Sequence, residues 1–90
     1  MPDSARLRAA DDVLSRRIGD ELVLLHLGTE VYFGLDSVGT VMWEALNEAA
    51  SLMDAQAALM RVFDVESERL AHDLRVLVDQ LLEQGLLVVE

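Results

Sequence analysis

Few side chains in this 90-residue chain could carry out chemistry: two histidines, His26 and His72, seventeen carboxylates, and no cysteine. Hydrolysis by a covalent route needs a nucleophile, a base beside it and a third group to orient the base. Without a thiol, the Cys–His version of that arrangement is excluded, as are a thiolate metal site and a disulfide framework. Neither histidine has a second histidine or a carboxylate at a recognisable metal-ligand spacing. Each reads better as a surface or packed structural residue. Asp11-Asp12 and the acids of the 66–83 segment could be paired for acid–base work, yet a solvated charge face accounts for them more simply. The glycines are scattered and form no phosphate cradle. The sequence therefore predicts no catalytic residues, no metal and no cofactor.

The composition narrows the partners. Apolar residues make up 52% of the chain and aromatics 4%, so a core must be built largely from Leu, Val, Ala and Met. A chain of this length supports one domain. The formal net charge is −10, from seventeen acids against seven arginines and no lysine. Nucleic acids and anionic membranes are repelled by such a surface, whereas basic or neutral polypeptides are tolerated. The N-terminus, Met1-Pro2-Asp3-Ser4-Ala5-Arg6, lacks the apolar stretch of a signal peptide. No apolar run approaches the ~20 residues that cross a bilayer. A cytoplasmic protein is expected.

These residues have to be placed on elements. Residues 1–11 are polar and Ala-rich and read as a flexible N-terminal arm, leaving 12–90 as the domain. Val13–Ile18, Glu21–Leu27 and Glu30–Leu35 are strand-like, separated by Gly19-Asp20 and Gly28-Thr29, which predicts an antiparallel meander. Asp36 or Ser37 can cap a helix to about Glu48, and Ser51 with Asp54 resembles a capping box for the next. A third helix spans about Ser67 to Gln84, with Gly85 placed as its C-cap. Leu86–Val89 forms an extended tail or a strand. An N-terminal three-stranded antiparallel sheet followed by three helices is an α+β, winged helix-turn-helix-like layout.

Two features suggest binding. In a meander the run Glu30-Val31-Tyr32-Phe33 lies at the sheet edge, where unpaired N–H and C=O groups can accept another strand. Tyr32 and Phe33 point to opposite faces, so one joins the core and the other can touch a ligand. In the last helix Leu70, Leu74, Leu77 and Leu81 form a stripe wider than a minimal seam. That stripe reads as part core and part groove wall. An apolar groove between a sheet edge and a helix takes an extended peptide by β-strand addition.

The order of motifs resembles a known family. Val31-Tyr32-Phe33-Gly34-Leu35-Asp36-Ser37-Val38-Gly39-Thr40-Val41-Met42-Trp43 looks like an aromatic strand running into a "Leu-Asp/Asn-x-x-Gly-x-x-Ile-Trp" helix. Glu68–Val78, then Leu81 and Gly85-Leu86-Leu87, looks like the same family's closing helix. Both are similar to PqqD-like RiPP precursor-peptide recognition elements, over roughly residues 13–89. Trp43 and the Tyr32-Phe33 strand point to the stand-alone recognition subunits of lasso peptide biosynthesis. A Pro-Glu turn usual in pyrroloquinoline quinone proteins is replaced by Gly28-Thr29. The resemblance implies a non-catalytic protein that binds the leader segment of a precursor peptide and delivers it to a separate Cys-dependent leader peptidase. It implies that Glu30, Val31, Tyr32 and Phe33 pair with the leader, and that Leu70, Asp73, Leu74 and Leu77 face it from the helix. Gly39 and Trp43 are implied as fold residues. The state expected is a monomer or weak homodimer. The rival readings are a peptide chaperone of quinone-cofactor biosynthesis, a winged-helix transcriptional regulator, and a dimerisation domain whose edge strand pairs with its copy. The regulator is disfavoured by an acidic last helix, where Glu66, Glu68, Asp73, Asp79 and Glu83 face only Arg69 and Arg75.

Overall fold

Sharp local signals divide the chain into short elements. In the computed structural model, which describes residues 4–90, eight of them follow in order. They are β1 (Leu7–Ala9), β2 (Val13–Ile18), β3 (Glu21–His26), β4 (Val31–Leu35), α1 (Ser37–Glu48), α2 (Leu52–Val62), α3 (Ser67–Glu83) and β5 (Leu87–Val89). Strands β2, β3 and β4 form the expected antiparallel meander, in that spatial order. Gly19 adopts a positive φ of 65°, turning the chain between the paired residues Ile18 and Glu21. That angle is open to glycine without steric cost.

The helices begin where the sequence offers caps. Asp36 accepts from the Gly39 N–H at 2.7 Å, and Ser51 accepts from the Asp54 N–H at 3.1 Å. Each bond satisfies one orphan donor of a first helical turn. Gly39 has a steric role at the first cap. A Cβ there would meet Leu35 Cδ2 at 3.2 Å and Asp36 Oδ1 at 3.3 Å. The close approach it allows is therefore that of β4 and its own capping residue.

The core lies between the helices and one face of the meander. Leu22, Leu24 and Leu35 from the sheet, Met42, Trp43 and Leu46 from α1, and Leu52, Ala55 and Leu59 from α2 are buried together. From α3 they are joined by Leu70, Leu74, Val78 and Leu81. Each fully buried Leu is worth roughly 1.5–3 kcal/mol relative to exposure. Helix α1 packs directly on β3 and β4, while α3 packs on α2 and β5.

The flexible arm requires correction. Residues 1–3 lie outside the described residues, but Leu7–Ala9 form a strand paired with the C-terminal strand, in the register Leu7↔Val89, Arg8↔Val88 and Ala9↔Leu87. Leu7 is buried in the core, the Ala5 carbonyl accepts from Leu52 N–H, and Asn47 Oδ1 accepts from Ala9 N–H at 2.7 Å. Arg6 and Arg8 both reach Glu90 at 3.1 Å. Two buried apolar side chains, Ala5 and Leu7, a strand ladder and these polar ties hold the segment on the body. Within the 86–89 tail, Leu87–Val89 is correspondingly a strand, β5.

Candidate functional site

Strand β4 hydrogen-bonds to β3 along one edge only, and among the described residues no strand pairs with its other edge. In an antiparallel ladder alternate residues direct their N–H and C=O away from the partner, so this edge displays a row of unpaired groups. The opposite edge of the meander, β2, is equally unpaired but chemically different. It carries Arg16 and Arg17, and Arg17 is ion-paired to Glu44 on α1. Charged side chains of this kind blunt an edge against strand addition. Strand β4, Val31-Tyr32-Phe33-Gly34-Leu35, has no charge at all.

The register decides which aromatic faces where. Phe33 sits opposite Leu24 and Leu35 opposite Leu22, on the helix-covered face, and Phe33 is half-buried against the core. Tyr32 sits opposite Leu25, on the outer face, and is 70% exposed. That outer face has an apolar surface of its own. Leu14, Ile18, Val23, Leu25 and Tyr32, with Ser15 and Arg16, line a shallow depression of about 550 Å³. The sequence alone did not single out Leu14, Ile18 or Val23. Their signal was the period-2 alternation along β2 and β3, which puts a second apolar set on the face away from the helices.

The remaining predicted site residues divide. Val31 is 36% exposed on the β4 edge, opposite His26. Glu30 precedes the strand instead of belonging to it. It has a positive φ of 59°, and its N–H donates to the His26 carbonyl at 2.8 Å, closing the turn. The connection is thus four residues, 27–30, longer than the two-residue Gly28-Thr29 turn the sequence suggested. On α3, Leu70 and Leu74 are 2% and 1% exposed and belong to the core, so in this structure neither offers surface to a ligand. The buried stripe runs Leu70, Leu74, Val78, Leu81, which displaces Leu77 to its margin, half-buried. Asp73, one turn before Leu77, is exposed and lies 3.7 Å from Arg69. The helix residues that keep accessible surface from the predicted set are therefore Asp73 and Leu77.

Among the described residues no group of three or more His, Cys, Asp or Glu is arranged to hold a metal ion. His26 Nδ1 accepts from the Thr29 N–H at 3.2 Å, a turn-stabilising role, and His72 is exposed on α3. Asp11 is engaged by Arg8 at 3.1 Å. Among the described residues no helix is long and apolar enough to cross a membrane. What the arrangement offers is a strand edge with apolar surface on both sides of it.

The chain is similar to known proteins of one family. The family model of coenzyme PQQ synthesis protein D (PqqD) matches residues 21–87. The solved structure of TbiB1 in complex with the TbiA(beta) leader peptide is similar to this chain with a TM-score of 0.82 and 38% sequence identity, covering 89% of this chain and 93% of that one. Lasso peptide synthetase B1 complexed with the leader peptide is similar with a TM-score of 0.82 over 93% of this chain and 99% of that one. Its identity is 23%, so that likeness concerns the fold alone. No curated protein sequence matches the chain.

Proposed function

The chain belongs to the PqqD family, and from that premise we propose that it is a non-catalytic recognition subunit that binds the leader segment of a lasso-type precursor peptide by β-strand addition to β4. The observation that carries this reading is the uncharged, unpaired edge of β4, in a chain 38% identical to a protein solved with a leader peptide. An extended leader running antiparallel to β4 gains main-chain hydrogen bonds from the edge. It gains specificity from side chains that alternate between the two faces of the sheet. On the inner side Val31, Phe33 and Leu77 supply apolar contact. Asp73 stands ready for a basic residue or an N–H of the peptide, and Glu30 borders the entry to the strand.

The protein acts in the cytoplasm, as a monomer or weak homodimer. It holds the precursor at high effective concentration for a separate Cys-dependent leader peptidase, whose thiol this chain does not carry. We read the sheet followed by three helices as a winged helix-turn-helix-like domain adapted to peptides. The match to the PQQ synthesis family model supports a second reading, a peptide chaperone in quinone-cofactor biosynthesis. A fluorescence-anisotropy titration separates the two, using the labelled leader encoded beside the gene, a scrambled leader, and a PQQ precursor peptide. Saturable binding of the cognate leader alone supports the lasso reading. Binding of the PQQ peptide alone supports the second, and no binding of either at high protein concentration refutes both.

A further inference from the structure

One residue of β4 is not explained by the fold. Gly34 lies inside a strand, where glycine gives no side chain to the sheet and loses more backbone freedom than any other residue. It does not adopt the positive φ seen at Gly19 and Gly85. A Cβ placed there would meet nothing within 4 Å, unlike one at Gly39. Neither backbone conformation nor packing in the unbound protein calls for glycine at this position. It faces outward, opposite Val23, beside a depression of about 300 Å³ lined by Ile18, Glu21, Leu22, Val23, Leu35 and Asp36.

We propose that Gly34 is the floor of a side-chain subsite, which takes one large apolar residue of the peptide strand docked on β4. This inference rests on the leader-binding reading above and adds to it a specificity determinant on the outer face. Neighbouring strands lie about 4.7–4.9 Å apart, so an added strand runs roughly 10 Å from β3. A Leu or aromatic side chain directed back over the sheet spans that gap only if the intervening residue has no side chain. Across Gly34 it points toward Val23 on β3, while Ile18 of β2 lines the far side of the same depression. Glu21 and Asp36 on the rim exclude an acidic occupant. Because alternate residues of a strand share a face, a single position of the leader meets Gly34.

The test compares wild-type protein with Gly34→Ala and Gly34→Val. Leader affinity is measured by anisotropy, folding by thermal melts, and an alanine scan of the leader is run against each protein. Both variants should melt at or above the wild-type temperature, since the position is open and β-branched residues suit strands. Gly34→Val should weaken leader binding at least tenfold, and Gly34→Ala less. One leader position should lose affinity on alanine substitution with the wild type and lose little with Gly34→Val. Wild-type affinity in a folded Gly34→Val, or alanine-scan losses that are the same in both proteins at every position, overturns the subsite. A wild-type protein that binds no leader overturns the parent reading instead, so the two failures are distinguishable.

Discussion

If the leader adds to β4 as a strand, its backbone contributes in an alternating pattern, and that pattern can be measured. The perturbation is N-methylation of one leader amide at a time, which removes a donor while keeping the side chain. Strand β4 has five residues. Two or three of them turn both backbone groups outward, giving roughly four to six possible bonds to a partner strand. A typical hydrogen bond contributes about 0.5–1.5 kcal/mol net, and a carbonyl left unsatisfied at the covered edge costs about 1–3 kcal/mol. Methylating a leader amide that bonds to β4 should therefore cost about 2 kcal/mol, or roughly 30-fold in Kd. Methylating the amides between, whose N–H points to solvent, should change Kd less than about threefold. Competition anisotropy against the unmodified labelled leader reads each value. Sensitivity with a period of two along five or so leader residues is the expected result. A period of three to four would indicate a helical ligand, and uniform small losses would indicate contact by side chains alone. Either result refutes strand addition.

Further outcomes follow from burial. Leu74→Ala should destabilise the domain by about 2–5 kcal/mol in urea unfolding, because Leu74 is core. Asp73→Asn, at an exposed position, should leave stability within about 0.5 kcal/mol and alter leader affinity alone; equal stability losses in the two variants would contradict the division of α3. Leu7→Ala should also cost about 2–5 kcal/mol, and deletion of residues 1–10 should abolish a cooperative transition. A truncated protein that melts like the intact one would refute the β1–β5 closure.

The sequence by itself determined the parts whose signals are local. Asp36-Ser37 and Ser51 mark their helix starts because a capping side chain reaches a backbone N–H three residues on, and the structure assigns the first cap to Asp36. The β2–β3 turn is legible because Gly19 tolerates a left-handed backbone. The uncharged aromatic run 31–35 declares a strand by its own composition, and the motifs around it carry the family resemblance. Tertiary structure decided everything that depends on a distant partner. The 1–11 segment reads as loose because nothing within it reveals that Leu7–Ala9 will find Leu87–Val89 at the other end of the chain. The leucine stripe of α3 is visible in the sequence. Which leucines go under and which stay at the margin depends on the rotation of the helix against its neighbours, and that buried Leu70 and Leu74 while leaving Leu77 half-exposed. Tyr32 and Phe33 were bound to face opposite ways. Only the packing of α1 on β3 and β4 settled which side is core, because a strand's period assigns its residues to two faces without saying which face a helix will cover.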